Sequence, residues 1–131
     1  MLLDSNTVIY SAKSKYANLR RFLAQHSFSV SAITRLEVLG YPDLEPEEQE
    51  KFEKFFSIIP VLPISDEVIE KAIKLRRLRK LKSERRIADF IIAATALVHG
   101  LTLVTHNVKD FEWIDELSVL DPLLSEQGKP V

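Results

Sequence analysis

The sequence predicts an α/β fold with a parallel sheet. Short apolar runs of strand length alternate with longer segments whose apolar residues recur at helical spacing. Such alternation favours a parallel sheet, because each helix carries the chain back to begin the next strand in the same direction. A length of 131 residues and a hydrophobic fraction of 46% are typical of a domain with a substantial core. We predict one domain over 1–124 and a loose tail over 125–131.

The first half of the chain contains signals for three strands and four helical segments. In chain order we predict a strand at 1–3, short helical pieces around 8–10 and 19–23, a strand at 28–30, helices over 32–39 and 46–56, and a strand at 58–62. Ser31 is a candidate cap for the helix that Gly40 ends, and Pro46 suits the first turn of the next helix. Prolines near the third strand favour a place at the edge of the sheet.

The second half predicts two long helices and two strands. Ser65 precedes a helix with apolar residues at helical spacing, and this spacing allows the helix to extend into the basic segment at 74–86. Residues 87–99 form a helix that is apolar on nearly every side, so we expect it to be buried, and Gly100 ends it. Strands are predicted at 101–104 and 118–120.

Composition narrows the classes of function. The chain has no cysteine, which excludes disulfides, zinc–thiolate sites and cysteine nucleophiles. With three glycines it has no glycine-rich loop to cradle phosphate. The longest apolar stretch is too short to span a bilayer and contains Asp89, and the N-terminus lacks the pattern of a signal peptide. We therefore expect a cytoplasmic protein that does not enter the membrane.

Charge is unevenly distributed, although the net charge is only −1. Residues 74–86 contain eight bases and one acid, whereas residues 43–53 are strongly acidic. For the acidic segment we favour a solvated helix surface. The basic segment is equally consistent with a solvated surface and with attraction to a polyanion.

Four acids lie within or beside apolar segments: Asp4, Glu37, Asp89 and Asp110. Burying an ionised carboxylate costs several kcal/mol unless a positive or hydrogen-bonding group meets it. Each acid taken alone is better explained as a cap, an exposed helix residue or a loop residue, and their joint placement weakens these explanations without excluding them. Together they predict an oxygen-rich pocket for a divalent cation such as Mg²⁺ or Mn²⁺, the usual apparatus of phosphodiester hydrolysis.

Four sequence blocks make the pattern more specific. They are Leu3-Asp4-Ser5-Asn6, Ser31 to Glu37, Ile87 to Ala96 and Leu103 to Phe111. In their order and spacing the chain resembles the PIN-domain nucleases, and within them the VapC-type toxins of bacterial and archaeal toxin–antitoxin pairs. The resemblance covers nearly the whole chain and implies a three-layer α/β/α sandwich with a central parallel sheet over 1–124.

The resemblance also implies an activity and a site. VapC-type proteins are magnesium- or manganese-dependent endoribonucleases. By matching position, Asp4, Glu37 and Asp89 are the metal-binding and catalytic carboxylates. The fourth catalytic position lies in the turn from Thr105 to Asp110. The resemblance gives it to Asp110, with Asn107 as the alternative. The remaining matched polar positions support the site, and they are Thr34 and Thr105.

Partners follow from the same resemblance. It implies an RNA substrate, a small cognate antitoxin that inserts a basic side chain near the acids, and a homodimer. Candidates for contacts with the RNA backbone lie in the basic segment: Arg76, Arg79, Lys82, Arg85 and Arg86. Tyr16, Leu19 and Phe22 are candidates either for the antitoxin surface or for the core. Without a cation, repulsion between the acids should raise the pKa of at least one carboxyl group.

A second class of function stays open at this point. A PIN fold that captures RNA or a partner without cutting would have the same sequence pattern, although it has no need of three costly carboxylates. A phosphohydrolase of small phosphoesters is a third interpretation. It lacks the second acid that one common class places two residues after the first, because Asn6 follows Asp4 at that spacing.

Overall fold

The structure is a computed structural model that describes residues 1–79 and 87–123. The predicted tail and three of the candidate RNA-binding residues, Lys82, Arg85 and Arg86, lie outside the described residues. Their predicted roles remain predictions.

A five-stranded parallel sheet forms the centre of the described structure. The strands are β1 (Leu2–Leu3), β2 (Ser29–Ser31), β3 (Val61–Leu62), β4 (Leu103–Val104) and β5 (Val119–Leu120). Their order across the sheet is β3-β2-β1-β4-β5, and every pair is parallel. Leu2 pairs with Ser29 on one side and with Leu103 on the other. The predicted fold class is confirmed, and β3 lies at an edge as its prolines indicated.

Helices connect the strands at the positions that the sequence predicts. They are α1 (Ser5–Ser11), α2 (Ala17–Ala24), α3 (Ala32–Leu39), α4 (Pro46–Ile58), α5 (Asp66–Leu78) and α6 (Ile87–His99), with short 3-10 helices at Ser14–Tyr16 and Val108–Asp110. The side chains of Ser31 and Ser65 accept hydrogen bonds of 3.2 Å from the first turns of α3 and α5. The predicted bounds of α3 and α6 are confirmed, as is the end of α6 at Gly100, whose φ is +64°.

The sheet separates two layers of core packing. On one face, buried residues of α5 and α6 pack with Leu2 and Leu103. On the other, buried residues of α1 to α4 pack with Leu3 and Val104. Neighbouring residues of one strand thus serve opposite cores, as the pleat of a strand requires. The result is the three-layer α/β/α sandwich that the resemblance implies.

The order of the strands fixes where a site can form. From β1 the chain moves outward to β2 and β3, and it later returns to the other side of β1 as β4 and β5. The carboxyl ends of β1 and β4 therefore flank the point where the strand order reverses, the usual place for a site in an open parallel sheet. Among the described residues, no helix is both long and apolar enough to cross a membrane.

Candidate active site

Asp4 follows directly after β1, where the chain turns into α1. It caps this helix: its Oδ1 accepts hydrogen bonds from the Thr7 backbone N–H at 2.9 Å and from the Thr7 hydroxyl at 2.6 Å. Its Oδ2 accepts a bond of 2.5 Å from the hydroxyl of Thr105, the residue that follows β4. Because both oxygens are held, the carboxylate has a fixed orientation at the reversal point of the sheet.

Burial governs the protonation of Asp4. Only 5% of the residue is exposed, and the loss of solvation raises the pKa of its carboxyl group above the usual value. The hydrogen bonds from Thr105 and Thr7 act in the opposite direction, and repulsion by Glu37 adds the smallest contribution to the increase. The pKa of Asp4 is thus raised in the predicted direction, but mainly by desolvation rather than by the repulsion between acids from which the increase was predicted.

Glu37 lies on α3 and reaches the same region from the neighbouring part of the sheet. The hydroxyl of Ser5 donates a hydrogen bond of 2.6 Å to its Oε1. The hydroxyl of Thr34 lies one helical turn before Glu37 and hydrogen-bonds with the Ser5 hydroxyl at 3.3 Å. Thr34 is wholly buried, so the Ser5 and Thr34 hydroxyl groups hold the glutamate from the interior of the protein.

The other polar residues come from α6 and from the turn after β4. Asp89 is in the first turn of α6, and Asp110 closes the 3-10 helix Val108–Asp110. That turn is fixed at two points: the Asn107 N–H donates to the Thr105 hydroxyl at 3.0 Å, and the Trp113 indole N–H donates to the Asp110 carbonyl at 2.9 Å. Thr105 thereby links this turn to Asp4.

These side chains line one cavity of about 80 Å³. Its lining residues are Asp4, Ser5, Asn6, Glu37, Asp89, Ile92, Asn107, Asp110 and Phe111. We call this the carboxylate cavity. It brings together the four predicted acids and Asn107, while Thr34 and Thr105 lie behind it as hydrogen-bonding partners. Four acids from separated parts of the sequence thus share one small polar space.

The donor set fits a hard divalent cation. Carboxylate and amide oxygens are the ligands that magnesium and manganese prefer, and magnesium keeps several waters while binding only a few carboxylates. Within 1–79 and 87–123, no three acidic or histidine side chains already form a closed coordination group. The fit therefore rests on the chemistry of the cavity and on the desolvated Asp4, whose negative charge a cation would offset.

Two residues at the site were not singled out from the sequence. Ser5 holds Glu37, and Thr7 holds Asp4 through both its backbone and its hydroxyl group. The signal for Thr7 was present, because a residue three positions after a capping aspartate is its usual hydrogen-bond donor. No local signal indicates Ser5, since its partner is 32 residues away.

Other predicted contact residues lie in different settings. Arg76 is exposed on α5, whereas the Arg79 guanidinium lies over the Trp113 ring, 5.1 Å from its centroid. Leu19 is wholly buried in the core, while Tyr16 and Phe22 are half-buried. The core interpretation is therefore correct for Leu19.

Comparison with known proteins gives consistent matches. A family model described as PIN domain matches residues 1–117. Ribonuclease VapC1 of Rickettsia felis is 59% identical over 32 residues, which are 24% of this chain and only 24% of that relative.

Two solved structures share the fold over most of the chain. A toxin–antitoxin complex from Klebsiella pneumoniae has 29% identity and a TM-score of 0.73, covering 92% of this chain and 96% of the other. DNA-bound VapBC from Salmonella typhimurium has 28% identity and a TM-score of 0.82, with the same coverage. The resemblance inferred from the four sequence blocks is confirmed. The chain belongs to the PIN domain family.

Proposed function

We propose that the protein is a metal-dependent endoribonuclease and the toxin of a type II toxin–antitoxin pair. The observation that carries this proposal is the carboxylate cavity, in which Asp4, Glu37, Asp89 and Asp110 meet beside the reversal point of the sheet. The names of the similar proteins, a ribonuclease VapC1 and VapBC complexes, support the same activity. VapC-type PIN-domain nucleases are metal-dependent.

Asp4, Glu37 and Asp89 are the proposed ligands of a Mg²⁺ or Mn²⁺ ion. When bound, such an ion supplies the positive charge that activates water and stabilises charge developing on a phosphate. Asp4 is oriented by Thr7 and Thr105, and Glu37 by Ser5, so neither carboxylate has to be ordered when RNA arrives.

Asp110 and Asn107 complete the proposed site from the turn after β4. Both line the cavity, so the structure is compatible with either residue in the fourth catalytic place. Asp110 offers a carboxylate that accepts a proton or a water, whereas Asn107 offers only an amide. We assign the fourth place to Asp110 and a supporting role to Asn107.

The proposal extends to partners and location. A small antitoxin would silence the cavity by inserting an arginine or lysine, because such a side chain supplies the charge that the cation otherwise provides. The solved VapBC structures support an antitoxin partner. We further propose a homodimer, and action in the cytoplasm, where cellular RNA is translated.

The test is cleavage of total RNA by the purified protein with magnesium or manganese, followed by mapping of the cut ends. We expect defined cleavage sites that disappear in EDTA and in Asp89→Asn. The matched control is Asp43→Asn, which makes the same carboxylate-to-amide change on an exposed residue away from the cavity.

Three outcomes would count against the proposal. Cleavage that persists in EDTA would exclude the metal mechanism. Equal loss of cleavage in Asp43→Asn and Asp89→Asn would show that the cavity is not the site. Tight RNA binding without cleavage across a broad panel of RNAs would favour the non-cleaving PIN-fold module instead.

A further inference from the structure

A second basic segment lies near the N-terminus. Residues 5–36 contain no aspartate or glutamate, but they contain five bases: Lys13, Lys15, Arg20, Arg21 and Arg35. Lys13 and Lys15 are exposed and lie in the short connection between α1 and α2. Unlike most lysines of this chain, these two have no acidic neighbour in sequence that would neutralise them.

Arg20 fixes the connection that carries the two lysines. Its guanidinium donates hydrogen bonds to the carbonyl oxygens of Lys13 at 2.6 Å, of Ser11 at 3.2 Å and of Ser14 at 3.4 Å. Ser11 ends α1, and Lys13 and Ser14 lie in the segment that follows, where the Lys13 carbonyl also accepts a hydrogen bond of 3.2 Å from the Tyr16 N–H. The backbone of the connection is therefore held in place while its lysine side chains extend into solvent.

Three rings and one lysine connect this segment to the turn after β4. The ring of Tyr10 lies 4.9 Å from that of Tyr16 and 6.4 Å from that of His106, the second at an angle of 73°. The Lys15 ammonium is 5.2 Å from the centroid of Tyr16. The contacts thus form one row, from the Lys15 ammonium through the rings of Tyr16 and Tyr10 to that of His106.

His106 brings this surface to the edge of the carboxylate cavity. It lies between Thr105, which bonds Asp4, and Asn107, which lines the cavity. Its Nδ1 lies 3.1 Å from Asp121 Oδ2, and 46% of its side chain is exposed. The ring is therefore fixed on one side by a carboxylate and by Tyr10, while part of it remains open to solvent.

We propose that Lys13, Lys15, Tyr16 and His106, here called the basic rim, bind single-stranded RNA next to the bond to be cut. The lysines take backbone phosphates, and the His106 ring stacks on an unpaired base. This inference rests on the proposed function and specifies the form of its substrate: a nucleotide beside the cut must be unpaired, because a paired base has no free face to stack.

Electrostatics favours RNA over an acidic protein as the occupant. The carboxylates of the cavity repel a polyanion, so productive binding needs cations close to the cavity that hold phosphates against this repulsion. The basic rim supplies such cations, together with a ring that suits a flat nucleobase. An acidic peptide would use the lysines but would have no use for an exposed ring.

The test measures binding of a labelled RNA of about 12 nucleotides, single-stranded or annealed to its complement, by fluorescence anisotropy in EDTA so that no cleavage occurs. We expect Lys13→Ala/Lys15→Ala to weaken binding of both forms about tenfold. His106→Ala should weaken the single strand about tenfold and leave the duplex unchanged, whereas His106→Phe should restore the single strand. The control, Lys51→Ala/Lys54→Ala on α4, removes the same charge from exposed positions.

Several results would overturn the inference. If the control weakens RNA binding as much as the double lysine variant does, the effect is one of net charge only. If His106→Ala weakens binding of single strand and duplex equally, His106 does not stack on a base. If the rim variants still bind RNA but no longer bind a co-expressed antitoxin, the rim is a protein-binding surface rather than an RNA-binding one. If wild type cuts no RNA with any metal while the rim effects hold, the proposed function fails, and the rim remains a surface that binds single-stranded RNA without a bond to be cut.

Discussion

The carboxylate cavity contains buried, hydrogen-bonded groups, whereas the basic rim beside it consists mainly of exposed side chains, with Tyr16 half-buried. Asp4 is 5% exposed and accepts three hydrogen bonds, but 46% of the His106 side chain is exposed, and Lys13 and Lys15 extend into solvent. Yet the two regions are joined through adjacent residues, Thr105 and His106. The same turn after β4 serves both.

The difference follows from what each region has to do. In the proposed function a catalytic carboxylate must point in one direction, and burial that fixes Asp4 also desolvates it, which raises its pKa. A lysine that meets a phosphate gains from staying hydrated and mobile until RNA arrives, at the cost of sensitivity to salt. Variants should therefore separate chemistry in the cavity from affinity at the rim.

The largest expected effect is on the chemical step. Asp4→Asn removes one charge that would hold the cation, and we expect cleavage to fall on the order of 10³-fold, because several kcal/mol of transition-state stabilisation are lost. RNA affinity in EDTA should be unchanged or slightly higher, since a repelling charge has gone. Single-turnover cleavage at saturating RNA, with anisotropy for affinity, checks both. A matching loss of affinity would contradict the separation of the two regions.

The hydrogen-bonding partners of the acids should have the next largest effect. Ser5→Ala and Thr105→Val leave every carboxylate in place but release Glu37 and Asp4, respectively. We expect each to lower metal affinity or cleavage about 10- to 100-fold. Titration of cleavage against magnesium distinguishes a loss of metal affinity from a loss of cleavage at saturating metal. The control is Ser57→Ala, which removes an exposed hydroxyl group from α4. If Ser5→Ala cleaves RNA as well as this control does, Glu37 does not need the hydrogen bond from Ser5.

A smaller effect should appear in the salt dependence of binding. Two phosphate contacts contribute about 1.4 to the slope of log affinity against log salt for a single strand. Between about 50 and 200 mM salt, wild type should therefore lose about sevenfold more affinity than Lys13→Ala/Lys15→Ala. Anisotropy at several salt concentrations measures this difference. Equal slopes in the two proteins would exclude the lysines as phosphate contacts.

The smallest effect should be on stability, and its sign depends on pH. Folded Asp4 holds its proton at a higher pH than the unfolded residue does, so stability is lost as pH rises through the interval between the two pKa values. In metal-free protein, Asp4→Asn should therefore have a higher Tm than wild type, by a margin that grows with pH above 3.8 and then levels off. Thermal unfolding at several pH values measures this margin.

Magnesium should reverse the order of the two Tm values, so that wild type unfolds at a higher temperature than Asp4→Asn. A cation that binds only the folded wild type raises its Tm by mass action and has little effect on the asparagine variant. If Asp4→Asn is instead less stable at every pH without metal, the hydrogen bonds to the carboxylate outweigh its desolvation cost.

Much of the fold was predictable because its signals are local. The caps at Ser31 and Ser65, the stop at Gly100 and the apolar pattern of α6 each depend on residues within one or two helical turns. The predicted strands were less accurate at their ends. The structure pairs only two residues of β3, where the sequence suggested 58–62, since α4 continues to Ile58.

The four acids that line the carboxylate cavity could be selected from the sequence, but their meeting in one cavity could not be derived from it. They stand out because they lie within or beside apolar segments, although each taken alone was better explained as a cap, a helix-surface residue or a loop residue. Asp4 is in fact also a cap of α1, so the two interpretations are compatible for this residue. The N-terminal bases give a weaker local signal than the eight bases at 74–86, because they are spread over residues 13–35 and are distinguished only by the lack of acids among them.

The sequence by itself determined the helices, the approximate strands and the chemical character of the site, because each depends on neighbours along the chain. Only the tertiary structure decided which groups meet. Thr105 reaches Asp4 across 101 residues, Ser5 reaches Glu37 across 32, and His106 lies against Tyr10. These contacts depend on the placement of β4 beside β1, and strand order is set by packing of the whole chain rather than by any local pattern.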